Sequence, residues 1–150
     1  MTGRPSPASS AAAHARRDVR LTPEQHVFVT ERHLATLTTL RADGSPHVVP
    51  VGFTWDPEEC VLRITSRGTS VKVRNIERAG DEGLRVAVCQ VDGGRWLTFE
   101  GRATVSRDAD EVAEAMRRYA RRYRTLEPDP RRVVVRVAVR RVLGSAYMTR

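Results

Sequence analysis

Lysine occurs once in this chain, at Lys72, against 25 arginines. Aromatic residues make up 5%, and there are two cysteines and four histidines in 150 residues. Each shortage excludes something. Cys60 and Cys89 are isolated thiols without metal-ligand spacing, so they read as strand-packing residues of a reducing compartment and not as a disulfide. His14, His26, His33 and His47 are not paired for zinc, and no metal is expected. No apolar run approaches transmembrane length, and Met1-Thr2-Gly3-Arg4-Pro5-Ser6-Pro7 lacks a signal peptide's hydrophobic stretch. A cytoplasmic protein without a membrane partner is expected. No Ser/His/Asp or Cys/His constellation stands out in the chain, an absence consistent with chemistry carried by a cofactor.

Arginine is what the chain has in excess. Net charge is +8, and the window from Met116 to Arg141 holds ten arginines against Glu127 and Asp129, so it alone carries +8. Such a patch attracts nucleic acid, an acidic surface or an anionic small molecule. Nucleic acid is not expected, because interleaved stacking aromatics and helix-turn-helix or zinc patterns are missing. An anionic small molecule remains, beside the plainer reading of a solvated helix face.

Against so much arginine, the one ammonium stands out, because ammonium and guanidinium are not interchangeable at a phosphate. Ile64-Thr65-Ser66-Arg67-Gly68-Thr69-Ser70-Val71-Lys72-Val73-Arg74-Asn75 runs from a strand through a hydroxyl-rich turn into a helix. Free backbone N–H groups, hydroxyls, Arg67 and Lys72 at a helix start form an anion pocket. The alternative is that the lysine is incidental and Thr69 or Ser70 only caps the helix.

Residues 1–20, rich in Ala, Ser, Pro and Arg, read as a disordered arm, and 21–150 as one domain. Thr22-Pro23-Glu24-Gln25 is a capping box that starts a helix to about Arg32. Strands are predicted over Leu34–Leu40, Pro46–Trp55, Cys60–Thr65, Leu84–Val91, Arg95–Val105 and Arg132–Val142. Pro46 and Pro50 put the second of these at a sheet edge, and Gly101 marks a bulge. Helices are predicted over Ser70–Arg78 and from Asp108 to about Arg122. The pattern predicts a mainly β protein, a six-stranded antiparallel barrel with peripheral helices.

Several segments carry a family resemblance. They are Glu31-Arg32-His33-Leu34-Ala35, Leu37-Thr38-Thr39-Leu40-Arg41-Ala42-Asp43, Ser45-Pro46-His47-Val48-Val49, Gln90-Val91-Asp92-Gly93, Arg95-Trp96-Leu97, Glu100-Gly101-Arg102-Ala103, Arg121-Arg122-Tyr123-Arg124-Thr125 and Val142-Leu143-Gly144-Ser145-Ala146. Together they resemble the flavin-binding split β-barrel of pyridoxamine 5'-phosphate oxidase relatives. Within it the chain is most similar to the deazaflavin-dependent branch, and there to the F420H2-dependent biliverdin reductases of actinobacteria. The resemblance implies a homodimer that binds coenzyme F420 between subunits and passes hydride to a bilin.

By the same resemblance, Thr65, Ser66, Arg67, Gly68, Ser70, Lys72 and Asn75 hold the coenzyme's phosphate and tail. His47, Val48, Val49, Pro50 and Val51 form the wall against the deazaflavin ring. Gln90, Val91, Asp92, Arg95 and Trp96 form a second wall, which in such dimers comes from the other subunit. Arg121, Arg122 and Arg124 suit a bilin's propionates, while Trp96, Tyr147 or Phe53 suit its rings. The residues themselves leave plainer roles open: packing for Trp96, a solvated strand end for His47, and a structural ion pair for Glu100. Two other functions fit the same fold, an FMN-dependent oxidase-like enzyme and a non-catalytic flavin, deazaflavin or haem carrier.

Overall fold

The structure, a computed structural model, describes residues 19–149. The arm expected over 1–20 lies outside the described residues as far as residue 18. Helix α1 (Pro23–Thr30) starts on the capping box, with the Thr22 hydroxyl accepting from the Gln25 amide and the Gln25 side chain accepting from the Thr22 amide. Strands β1 (Ala35–Leu40), β2 (Pro46–Val51), β3 (Thr54–Asp56) and β4 (Val61–Arg67) lead to helix α2 (Val71–Glu77). Strands β5 (Leu84–Asp92) and β6 (Arg95–Ser106), helix α3 (Ala109–Arg122) and strand β7 (Arg132–Gly144) complete the chain.

All strands belong to one antiparallel sheet, in the order β2-β1-β5-β6-β7-β4-β3. Its concave face packs one core around Leu37, Phe53, Leu62, Val88, Leu97 and Phe99, each fully buried. This is the expected mainly β, antiparallel split barrel. The bulge expected at Gly101 is present as a register shift between Glu100 and Gly101. A side chain at Gly101 would collide with the Ala138 carbonyl oxygen, so the bulge requires glycine.

One expected strand is divided. The run Pro46–Trp55 breaks at Gly52-Phe53 into β2 and β3, which gives seven strands where six were expected. The two pieces occupy opposite edges of the sheet. A two-residue step cannot span an open sheet, so the sheet curls until its edges meet at this joint. The reason for the break is local. The Phe53 N–H donates to Tyr123 Oη at 3.3 Å, and its carbonyl accepts from Arg122 Nη1 at 2.6 Å. Side chains from the end of α3 thus take the backbone groups that a continuous ladder would have used. Gly52 leaves room for the rings: a Cβ there would lie 2.8 Å from Tyr119 Cε2 and 3.0 Å from Tyr123 Cε2.

Arg122 ties the seam together. Its Nε donates to the Glu31 carbonyl at 2.9 Å and its Nη2 to Gln90 Oε1 at 2.6 Å, while the guanidinium lies over the Phe53 ring at 4.5 Å. Gln90, itself fully buried, donates onward to the Phe28 carbonyl at 2.8 Å. Tyr123 Oη donates to the His33 carbonyl at 2.6 Å. One residue therefore joins the end of α1, the β2–β3 joint and β5. Replacing Arg122 by Met removes a donor from three acceptors at once and leaves the buried Gln90 Oε1 with none. Arg122→Met is expected to lower the unfolding free energy by about 2–4 kcal/mol in urea melts. A loss below about 0.5 kcal/mol would show that the seam does not depend on it.

Candidate functional site

Strand β2 is an edge strand, paired only with β1. This agrees with its two prolines, which offer carbonyls but no donors along the strand. Val48 is exposed, and His47 and Val49 are half-buried. The His47 Nδ1 atom is buried and has no hydrogen-bond partner among the described residues. A buried imidazole nitrogen left unpaired is uncommon and points to a partner that comes from outside the chain.

At the β4–α2 turn, the Gly68 amide donates to the Arg131 carbonyl at 2.8 Å and the Ser70 amide to the Arg67 carbonyl at 3.1 Å. Ser66 Oγ and Ser70 Oγ share a 3.0 Å hydrogen bond. Ser70 is the N-cap of α2, yet its side chain makes no cap hydrogen bond. The first-turn amides of α2 are thereby left without a side-chain acceptor. Arg67 extends into solvent, 3.7 Å from Asp129, and Thr65 is half-buried at the end of β4.

Lys72 sits half-buried in the first turn of α2, and among the described residues no carboxylate lies within ion-pair distance of it. Burial pushes its ammonium below the ordinary lysine value. Asn75 has a different role. It is 2% exposed, donates to Thr39 Oγ1 at 3.0 Å and accepts from Arg78 at 3.0 Å. Both ends of its amide are engaged within the chain, so Asn75 moors α2 to β1. Thr39 is in turn the register partner of His47. The mooring therefore places α2 and the His47 end of the β2 wall at the same end of the barrel.

The β5–β6 hairpin is not part of that grouping. Ala35 pairs with both Val51 and Gln90, whereas His47 pairs with Thr39. Four residues of strand separate these levels, about 13 Å. The hairpin thus lies at the other end of β1 from His47. Gln90 is part of the seam network, Val91 is exposed, and Trp96 is half-buried opposite Val91. Asp92 and Arg95 belong to an ion-pair knot: Arg95 Nη2 lies 2.9 Å from Glu31 and 2.5 Å from Asp92, and His33 Nε2 lies 3.2 Å from Glu31. Hydrogen bonds from Arg95 and His33 hold the Glu31 carboxyl below its ordinary value. Arg95 donates to both carboxylates and offsets one of their two charges within the knot.

The residues expected to meet an anionic substrate divide as well. Arg121 and Arg124 are exposed on and beyond the last turn of α3. Arg122 differs from them: it is half-buried, and all three of its nitrogens donate within the seam. Phe53 is 0% exposed and packs edge-on against Phe99, which removes it as a stacking surface. Tyr147 covers the β5–β6 turn, its hydroxyl against Gly94. Glu100 pairs with Arg141 at 2.9 Å, the structural role that its strand position allows.

Sequence reasoning passed over Arg41, Arg74 and Arg78. These line a hollow of about 500 Å3 between the β1–β2 turn and α2, beside Asn75. The i, i+4 spacing of Arg74 and Arg78 was the available signal. Their cationic field adds to that of Lys72.

The fold recurs in solved structures. An F420 reductase superposes with a TM-score of 0.62 at 26% identity, covering 79% of this chain and 94% of its own. A conserved hypothetical protein of Mycobacterium tuberculosis superposes at 0.68 and 21% identity, covering 86% of this chain and 87% of its own, a likeness of fold alone. The chain belongs to the pyridoxamine 5'-phosphate oxidase family, whose model matches residues 21–146. Among curated relatives, the F420H(2)-dependent biliverdin reductase of Mycobacterium tuberculosis (strain CDC 1551 / Oshkosh) is 54% identical over 127 residues, 85% of this chain and 90% of that protein.

Lys72 leaves a signature in stability. A lysine whose folded pKa is depressed weakens folding fully below that folded pKa, and the penalty fades as pH rises through it and is gone above the unfolded pKa. Lys72→Met is therefore expected to raise the melting temperature of the ligand-free protein at pH 7, by up to about 2 °C after allowance for solvent screening. A fall in melting temperature would instead give Lys72 a stabilising partner in the folded chain.

Proposed function

We propose that this protein is an F420H2-dependent reductase that delivers hydride to biliverdin or a similar conjugated anion, with two copies forming the working unit. The 54% identity to a protein named for that activity supports the reading, as does the likeness to an F420 reductase. The observation in this chain that carries it is Lys72. Among the described residues, the chain's one lysine stands half-buried without a carboxylate, at a helix start with no side-chain cap, on a helix moored to the register partner of His47, whose buried Nδ1 is unpaired. F420 has a phosphate and a carboxylate-bearing tail, and these residues fit such a group. When bound, reduced F420 supplies the hydride.

The chain's own part is position and electrostatics. Lys72, the free amides of α2 and the neighbouring Arg74 suit the anionic portion. The β2 wall from His47 to Val51 offers an apolar face with few donors, and His47 Nδ1 offers one hydrogen-bonding atom toward a ring. Arg121 and Arg124, both exposed, remain to attract an anionic substrate.

Two features support dimerisation. The Val91–Trp96 hairpin lies about 13 Å along β1 from the His47 level of its own chain, which suits a second wall contributed by a second copy. The convex face of the sheet also exposes Leu40, Val48, Val91 and Leu143, which a partner surface would cover. Light scattering at micromolar concentration is expected to give twice the chain mass. A monomer that binds F420 fully would contradict the shared groove.

Titration with F420H2 and with FMN, followed by addition of biliverdin, tests the activity. The expected result is F420H2 binding and its oxidation on adding biliverdin. Binding without turnover would leave a carrier, and binding of FMN alone would leave an oxidase-like enzyme. Lys72→Ala is expected to weaken F420H2 binding about 10- to 100-fold, the scale of a lost charge-assisted contact. An unchanged dissociation constant would remove Lys72 from the site.

A further inference from the structure

A second, smaller cavity lies away from β2 and α2. It measures about 260 Å3, opens between α1, β3 and α3, and is lined by His26, Thr54, Trp55, Arg118, Arg121 and Arg122. No carboxylate lines it. Arg118 is compensated from behind, with Nε on Glu114 at 2.7 Å and Nη2 3.4 Å from Asp56. Arg122 is not: its three hydrogen bonds go to two carbonyls and an amide oxygen, all neutral. Burial accordingly depresses its guanidinium pKa. Arg121 has no carboxylate within ion-pair distance among the described residues.

Thr54 supplies an independent sign. It is 8% exposed, and its Oγ1 is buried without any hydrogen-bond partner among the described residues. A buried hydroxyl left unpaired beside uncompensated cations is costly in the empty chain, and one bound anion answers both deficits.

We propose that this cavity is an oxyanion site, which holds a carboxylate or phosphate group between Arg121 and the Thr54 hydroxyl in the field of Arg118 and Arg122. Guanidinium forks match planar and tetrahedral oxyanions in a way they do not match a halide. Trp55 and Val29 wall the cavity with apolar surface, so the bound group sheds water on that side. The volume is below that of most drug-sized sites, which limits the occupant to a small acid or to the acid end of a longer molecule. The site itself does not depend on the F420 reading; only its assignment to a substrate carboxylate rests on the proposed function. The group has two possible sources, a free anion or one carboxylate of the reductase's own substrate.

The test uses the full chain carrying Lys72→Ala, so that the α2 turn contributes little. Calorimetry and thermal melts compare sodium phosphate and sodium succinate with sodium chloride at equal ionic strength. Saturable binding of phosphate or succinate, absent with chloride, is expected. Arg121→Gln and Thr54→Val should each weaken it at least tenfold; Arg121 is exposed and Thr54→Val keeps the side chain's shape, so both variants should fold. Equal responses to phosphate and chloride, or undiminished phosphate binding in both variants, would overturn the proposal. In the chain with Lys72 restored, phosphate that raises the KM for biliverdin, but not in Arg121→Gln, supports the site as the seat of a substrate carboxylate. Phosphate binding without such competition supports a free-anion site.

Discussion

The hydrogen bond from Arg122 to the Phe53 carbonyl, at 2.6 Å, is the contact on which the architecture depends. A seven-stranded sheet whose order ends in β2 and β3 has two open edges. Exposed edges ordinarily invite pairing with other chains. Here two consecutive residues link them, and the backbone groups of Phe53 are bound by Arg122 and Tyr123. The barrel is thus held shut by side chains from the end of α3 and not by a last ladder. Because Arg122 also reaches Glu31 and Gln90, the same guanidinium fixes the entry to β1 and the inner face of β5.

Function follows from what this closure leaves over. With the seam secured at one end of β1, the other end is free to receive α2, moored through Asn75 and Thr39. That mooring holds α2, which carries Lys72, against β1 at the level of His47. Both residues carry unmet electrostatic or hydrogen-bonding demand in the ligand-free chain. Such local cost is typical of sites that a ligand completes. The buried pair of Arg63 and Asp56, at 2.7 Å, shows the contrast. Burial there raises the Asp56 carboxyl, yet Arg63, the Glu59 and Glu58 amides and Arg118 outweigh it and leave the group below its ordinary value.

Much of the fold was legible in the sequence because its signals are local. The Thr22-Pro23-Glu24-Gln25 box, the prolines of β2 and the Gly101 bulge each act within a few residues. The division of β2 from β3 was not legible, because nothing within Pro46–Trp55 reports that Arg122 and Tyr123 arrive 69 and 70 residues later. The same distance hid the fate of Arg122. A run of arginines at a helix end looks uniform in sequence, and only packing separates a brace from its exposed neighbours. At the candidate site, Lys72 was legible as a compositional exception. Asn75 stood out by position, but its engagement with Thr39 needed three dimensions. The arginines at 41, 74 and 78 were lost in a background where arginine is the ordinary cation.

In the proposed function, Lys72 and the β2 wall form one half of a groove whose other half comes from a second copy of the chain. A crystal structure of the protein with reduced F420 tests it most directly. The expected result places the coenzyme's phosphate against Lys72 and the first turn of α2, its ring along His47–Val51, and the partner's Val91–Trp96 hairpin on the opposite side. Coenzyme bound elsewhere, such as in the outer groove between Arg85 and Arg140, or contacted by one chain alone, would contradict it.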